Sequence, residues 1–210
     1  MDKIETANGV IEFEEKIFSE DKAPLDQAIG KANLLDVRRV LAKHDVKFGL
    51  IYGTLLGAIR EKGFIPHDQD IDLFMLAEDR EKLLNSLHDL LDCGFQVCRY
   101  DGIMLSIIRD EEYIDFYFFR KGFFQRKCSP GLTARSSYLE KTREISFLGE
   151  SFHVPHNPEK MLVFLYGKNW KVPRKNDPSM NHHPYIILRE TLKAKANFLF
   201  QIGRWIKKHF

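Results

Sequence analysis

The stretch Gly53–Asp72, GTLLGAIREKGFIPHDQDID, runs into an apolar tract, DIDLFM at residues 70–75, and the fold turns on how these residues are read. Asp70 and Asp72 stand two apart. Successive strand side chains alternate faces, so both carboxylates point the same way. Two aligned carboxylates in an apolar strand repel at neutral pH unless a positive charge lies between them, and an all-oxygen ligand set favours Mg²⁺ or Mn²⁺. The alternative is a solvated strand end. Upstream, Gly53 makes a turn, and Thr54, Leu55, Leu56, Ala58 and Ile59 predict a helix that stops near Gly63. Pro66 then imposes an extended approach to the acidic strand.

Helical and strand periodicities continue on both sides. Leu25, Ile29, Leu34, Val37 and Leu41 recur at helical spacing over residues 25–44, and Phe48–Tyr52 is a short apolar run of buried-strand type. Leu83, Leu84, Leu87, Leu90 and Leu91 define an amphipathic helix over residues 79–92, with Gly94 as its terminator. Phe95–Tyr100, Ile103–Ile108 and Tyr113–Phe119 read as three strands joined by short Asp/Gly and Asp/Glu connections, hence antiparallel hairpins within a mixed sheet. The expected class is α/β (α+β), a mixed sheet flanked by helices.

Composition sets the functional frame. With 210 residues, 44% hydrophobic and 12% aromatic, the chain has ample material for one large domain with a small appendage. Lys and Arg total 32 against 30 Asp and Glu, a net charge of +2, so no global basic field points to a nucleic-acid partner. The N-terminus MDKIETANGV lacks the form of a signal peptide, and no apolar run approaches the ~20 residues of a membrane span. Cys93, Cys98 and Cys128 have no metal-ligand spacing and fit free thiols. The expected location is the cytoplasm.

Asp115 is the next candidate. It stands in YIDFYFF, residues 113–119, where a half-buried carboxylate costs several kcal/mol unless it is paired or metal-bound. It reads either as a third metal ligand or as one half of a buried ion pair with an arginine. Three carboxylates from two strands, with a Gly-Thr turn at a helix N-terminus, are the parts of a phosphoryl or nucleotidyl transfer site. Gly53 allows close backbone approach to a phosphate, the Thr54 hydroxyl and amide can donate to it, and Arg60 could clamp it from the same helix. Arg60 also reads as an exposed helix charge. Asp68 could complete the metal site or act as general base, and His67 reads as ligand, proton carrier or surface residue.

Tyr52–Phe74 resembles the signature of the LicD/fukutin-related phosphotransferases, roughly GTLLGxxRxxGxIPWDxDxD. A second stretch, with Val154, Pro155, Pro158, Glu159, Met161, Leu162, Tyr166, Gly167, Trp170 and Pro173, resembles that family's VPxxPExxLxxxYGxxWxxP. Two motifs in order, about 80 residues apart, are far more specific than either alone. The resemblance implies a nucleotidyltransferase-like fold. It also implies transfer of a phospho-alcohol group, such as phosphocholine or ribitol phosphate, from a CDP-linked donor to a glycan or lipid-linked glycan, with release of CMP. By matching position, Asp70, Asp72 and Asp115 would hold Mg²⁺ or Mn²⁺, and Gly53, Thr54 and Arg60 would meet the donor phosphates. The chain has His67 where the family commonly has tryptophan and Gln69 where a further aspartate is frequent, a difference that bears on donor identity. The rival reading is an NTP-dependent nucleotidyltransferase acting on a small molecule, protein or RNA and releasing pyrophosphate. A binding subunit without catalysis would be expected to lack a carboxylate.

Tyr166 and Trp170 read either as part of a donor or acceptor wall or, with Met161 and Leu162, as core. After Pro178 the character changes. Leu188, Leu192, Ala196, Leu199, Ile202, Ile206 and Phe210 form one stripe, while Arg189, Lys193, Lys195, Arg204, Lys207 and Lys208 face Glu190 alone. A basic amphipathic helix over 185–210 suits peripheral contact with the inner face of a membrane, or packing on the domain or a second copy. The expected division is a catalytic domain over 1–180 and a helical tail over 181–210.

Overall fold

The computed structural model describes residues 1–16, 22–123, 125–128 and 133–173. The chain divides into two compact units, Met1–Leu162 and Val163–Phe210. The expected tail helix over 185–210 lies outside the described residues.

The first unit opens with a hairpin, β1 (Asp2–Thr6) and β2 (Gly9–Phe13), in which Ile4, Ile11 and Phe13 are buried. Helix α1 (Gln27–Lys43) begins at Asp26, whose carboxylate accepts from the N–H groups of Ala28 and Ile29 at 2.9 and 3.0 Å. That bond satisfies donors a helix start leaves without partners. Leu34, Val37 and Leu41 are fully buried, as the spacing predicts. Strand β3 (Gly49–Leu50) is shorter than expected because Tyr52 already opens α2 (Tyr52–Arg60). The loop after α2 makes a turn at Pro66, with the Asp68 N–H on the Ile65 carbonyl at 3.0 Å, rather than the extended approach expected there.

β4 (Ile71–Leu76) leads through a 3-10 turn (Ala77–Asp79) into α3 (Arg80–Asn85) and α4 (Leu87–Asp92). The single helix expected over 79–92 is thus two. Ser86 is fully buried and its hydroxyl donates to the Leu83 carbonyl at 2.8 Å, the local competition with the backbone that makes serine a poor helix-interior residue. Gly94 closes α4 at φ 87°, a left-handed turn suited to glycine.

The three strands that follow, β5 (Gln96–Tyr100), β6 (Met104–Arg109) and β7 (Glu112–Lys121), pair antiparallel in sequence. Asp110 and Glu111, with φ of 53° and 62°, make the two-residue β6–β7 turn, whose left-handed backbone matches strand twist. β7 returns to lie parallel to β4, and the central path runs β3-β4-β7-β6-β5. The mixed sheet flanked by helices is the expected architecture, with α2 packed on β4 and α1 against β7. β8 (Gln125–Lys127) pairs with the end of β7, β9 (Thr133–Arg135) pairs with β8, and α5 (Ser136–Leu139) follows.

A second hairpin, β10 (Thr142–Phe147) and β11 (Glu150–Pro155), turns at Leu148 and Gly149 and packs on β3. Helix α6 (Pro158–Tyr166) follows, with Met161 and Leu162 buried. The second unit takes up its last residues and ends them at Gly167, whose N–H bonds the Val163 carbonyl at 2.9 Å.

Candidate active site

Parallel pairing of β4 with β7 sets Asp72 directly opposite Asp115. Asp70 stands immediately before β4 rather than within it, and the three acids still converge: an oxygen of each lies within 4.8 Å of the other two. Oxygens bound to one Mg²⁺ at roughly 2.0–2.1 Å stand at most about 4.2 Å apart, so a small contraction suffices for a shared ion. Asp72 and Asp115 are buried and Asp70 is half-buried.

The electrostatics match a site short of positive charge. Burial, then the charges of Asp70, Asp68 and Asp115, push the Asp72 carboxyl well above the usual range against the opposing Gly53 N–H. Burial and then the Asp68 and Asp115 charges raise Asp70 to about 7, with Lys22 and Arg99 opposing. Burial likewise raises Asp68 to about 6. Asp115 is raised by burial and restrained by Ser106, Arg99 and Tyr117. Two buried carboxylate oxygens, Asp115 Oδ1 and Asp68 Oδ2, have no hydrogen-bond partner among the described residues. A buried acceptor left in this state costs about 1–3 kcal/mol, which a bound cation would offset. The residues fit a divalent metal.

Asp115 realises both of its readings at once. One of its oxygens belongs to the acidic trio, and its Oδ2 accepts from Arg99 Nη2 at 3.0 Å in the ion pair that was the alternative.

The Gly-Thr turn is used differently from its sequence reading. The Gly53 N–H donates to Asp72 Oδ2 at 3.1 Å, and the Asp72 N–H donates to Thr54 Oγ1 at 2.8 Å. Thr54 is fully buried. These bonds tie the first turn of α2 to β4, so Thr54 acts on the site by holding Asp72 in place. A Cβ on Gly53 would run into the Asp68 carboxylate, with Oδ1 at 2.8 Å, so only glycine lets Asp68 lie against the helix start. Arg60 ends α2, about 9 Å along the axis from Thr54, and its Nε donates to Glu61 at 2.6 Å. His67 is exposed.

Sequence reading missed the cations and the aromatic neighbours of the trio. Lys22 Nζ binds Glu112 Oε2 at 2.6 Å and the Gln69 carbonyl at 2.9 Å beside Asp70. Tyr117 donates to Asp115 Oδ2 at 3.4 Å, and its ring meets that of Tyr52 edge to face at 5.0 Å. Tyr52 opens α2 in a left-handed backbone conformation, φ 45°, a sparsely populated state for a bulky residue. Tyr117 lies two residues from Asp115 on the same strand face, so alternation could have found it. Lys22 carries no such signal.

Among the described residues no helix is long and apolar enough to cross a membrane. The sequence profile of the LicD/FKTN/FKRP nucleotidyltransferase domain matches residues 45–157, which contain the whole acidic trio. The lipopolysaccharide cholinephosphotransferase LicD of Haemophilus influenzae is 38% identical over 61 residues, 29% of this chain and 23% of that protein. An uncharacterized protein of Caenorhabditis elegans, T07A5.1, is 32% identical over 157 residues, 65% of this chain and 41% of its own length. The matches thus span from 23% to 41% of the length of these curated relatives. Among solved structures, the antibiotic-resistance factor ANT(2'')-Ia aligns with a TM-score of 0.51 at 14% identity, over 87% of this chain and 98% of that one, a likeness of fold.

Proposed function

Because the chain belongs to the LicD/FKTN/FKRP family of nucleotidyltransferase domains, we propose that it is a metal-dependent phosphotransferase. It moves a phospho-alcohol group from a CDP-linked donor to a hydroxyl of a glycan or lipid-linked glycan. The observation that carries this reading is the convergence of Asp70, Asp72 and Asp115 within 4.8 Å inside the matched region.

In the proposed reaction an acceptor hydroxyl oxygen bonds to the phosphorus bearing the alcohol. The bond from that phosphorus to the bridging oxygen breaks, CMP departs and the hydroxyl proton is released. Asp70, Asp72 and Asp115 would hold Mg²⁺ or Mn²⁺, which would supply charge neutralisation at the attacking and departing oxygens. Asp68 takes the proton. Its carboxyl, raised to about 6, is mostly ionised at neutral pH yet basic enough to accept. Gly53 and Thr54 lie in the first turn of α2, whose positive end favours the donor phosphates, while their own bonds to Asp72 hold that carboxylate in place. Arg60 contributes a phosphate contact by exchanging Glu61 for the donor.

The test is CMP release from CDP-choline, CDP-ribitol and CDP-glycerol, with and without Mg²⁺, using a crude glycan or glycolipid extract as acceptor. Metal-dependent release from one donor supports the proposal and names the alcohol. Pyrophosphate release from an NTP, with no CMP from any donor, would replace it with nucleotidyl transfer.

A further inference from the structure

Four strands of the central sheet carry one continuous polar row across an otherwise apolar layer. Arg99 on β5 stands opposite Ser106 on β6, Ser106 opposite Asp115 on β7, and Asp115 opposite Asp72 on β4. Residues opposite one another in a sheet share a face, so the four side chains line up on the side where the acidic trio converges.

Arg99 is in this row because of an irregularity. Val97 pairs with Ile107, and the next pair joins Arg99 to Ser106, so Cys98 is an extra residue in the β5 strand. Plain alternation would place Arg99 on the face of Val97; the bulge turns it onto the opposite face, toward Asp115. Bulges next to functional sites re-aim side chains in this manner.

Once aimed, Arg99 spans two members of the row. Its Nε donates to Ser106 Oγ at 3.1 Å and its Nη2 donates to Asp115 Oδ2 at 3.0 Å. Tyr117 adds a second contact to that oxygen at 3.4 Å. The Arg99 Nη2 and Tyr117 contacts both fall on Oδ2, while Oδ1 is buried without a hydrogen-bond partner among the described residues. Asp115 is 2% exposed, so water does not fill the gap freely. A carboxylate fastened by one oxygen and bare at the other is oriented as metal ligands are by the groups behind them.

We infer that Arg99, turned inward by the β5 bulge and braced on Ser106, is a positioning residue that fastens Asp115 Oδ2 and so presents Oδ1 to the divalent cation. The inference rests on the metal reading above. It also separates two roles with opposite signs. An arginine that only balances charge competes with the metal, and its removal tightens binding; an arginine that orients the ligand loosens binding when removed.

Direct Mn²⁺ titration of the full chain, following the free-ion signal by electron paramagnetic resonance, distinguishes these without any activity assay. Arg99→Gln is expected to weaken Mn²⁺ binding about 10–100-fold, Arg99→Lys to recover part of the loss, and Tyr117→Phe to weaken it by a smaller factor. Circular dichroism establishes that each variant is folded, and if Arg99→Gln is not, Arg99→Lys and Tyr117→Phe decide. Mn²⁺ affinity equal to or tighter than wild type in the folded arginine variants would overturn the positioning role and leave the metal site intact. An absence of Mn²⁺ binding by the wild-type chain would instead remove the metal reading, and the inference with it.

Discussion

The acidic trio beside Asp68 and the Arg126 centre on β8 are both polar clusters set on the sheet, but the first buries its acids and the second buries its cation and leaves its acids exposed. Arg126 is 4% exposed and carries two carboxylates: Nη1 lies 2.6 and 2.8 Å from the Glu78 oxygens, and Nε lies 2.8 Å from Glu140. Burial tends to raise Glu78, but the Arg126 hydrogen bond carries its carboxyl below the usual range. Around Asp70 the acids themselves are held out of water: four aspartates are met by Arg99 and by a Lys22 that is itself tied to Glu112. Their carboxyls rise instead of falling. The contrast separates a buried cation whose carboxylates still reach water from a set of buried carboxylates that calls for an external cation.

The comparison breaks most directly at the trio. Asp70→Asn, Asp72→Asn and Asp115→Asn are each expected to lower turnover at least about 100-fold while the fold persists, because removing a repelling charge does not destabilise the metal-free chain. Rates of CMP release together with thermal melts check this. A variant with near-normal turnover would take its residue out of the site.

Arg126→Met should do the reverse. It leaves Glu78 and Glu140 without their shared cation and is expected to cost about 2 kcal/mol of stability, a figure discounted for their partial exposure, with Mn²⁺ affinity unchanged. Denaturant unfolding and the Mn²⁺ titration measure the two sides. Loss of metal affinity would join the two centres into one network.

Gly53→Ala probes how tightly Asp68 is packed on α2. The added methyl meets the carboxylate, and the expected result is about 1 kcal/mol of destabilisation with roughly tenfold slower CMP release. Wild-type stability and rate would mean that Asp68 swings aside at no cost.

The smallest effect is on pH dependence. Asp68 and Asp70 rise from the ordinary 3.8 to about 6 and about 7, so the folded metal-free chain holds protons that the unfolded chain has released. Their contribution to stability is therefore fully present below about pH 4 and lost as pH rises through 6 and 7. Glu78 has the opposite sign: its contribution is present above the unfolded value of 4.5 and lost on acidification. Melts from pH 3 to 8 should show saturating Mg²⁺ raising Tm more at pH 7.5 than at pH 5, and Arg126→Met flattening only the acid side. A Mg²⁺ effect that does not depend on pH would argue against metal binding to these carboxylates.

Much of the site was legible because it follows short-range rules. The two-residue spacing of Asp70 and Asp72 marks the pair although Asp70 lies just before β4, and the apolar setting of Asp115 marks it as an acid in need of a partner. What escaped depends on pairing between distant strands. No local pattern announces that Cys98 is an extra residue in β5, and reading Phe95–Tyr100 as a plain strand puts Arg99 on the wrong face. Thr54 reads as a phosphate donor because a hydroxyl beside a glycine at a helix start looks available; its burial against the Asp72 backbone follows only from how α2 packs on β4. The two outlying hairpins turn at Ala7-Asn8 and at Leu148-Gly149, pairs that are not among the strong two-residue turn signals.

The pairing of Asp72 with Asp115 also bears on how the chain folds. Between β4 and β7 it must build α3, α4, β5 and β6 before the parallel partner returns, so the two acids meet only on closing a long loop. Such non-local closure is the slow step of mixed sheets, and here it also brings like charges together. A slip of one residue would send one acid to the far side of the sheet. Capture of a cation therefore rewards only the finished register, and a misaligned chain forgoes that stabilisation until it corrects itself.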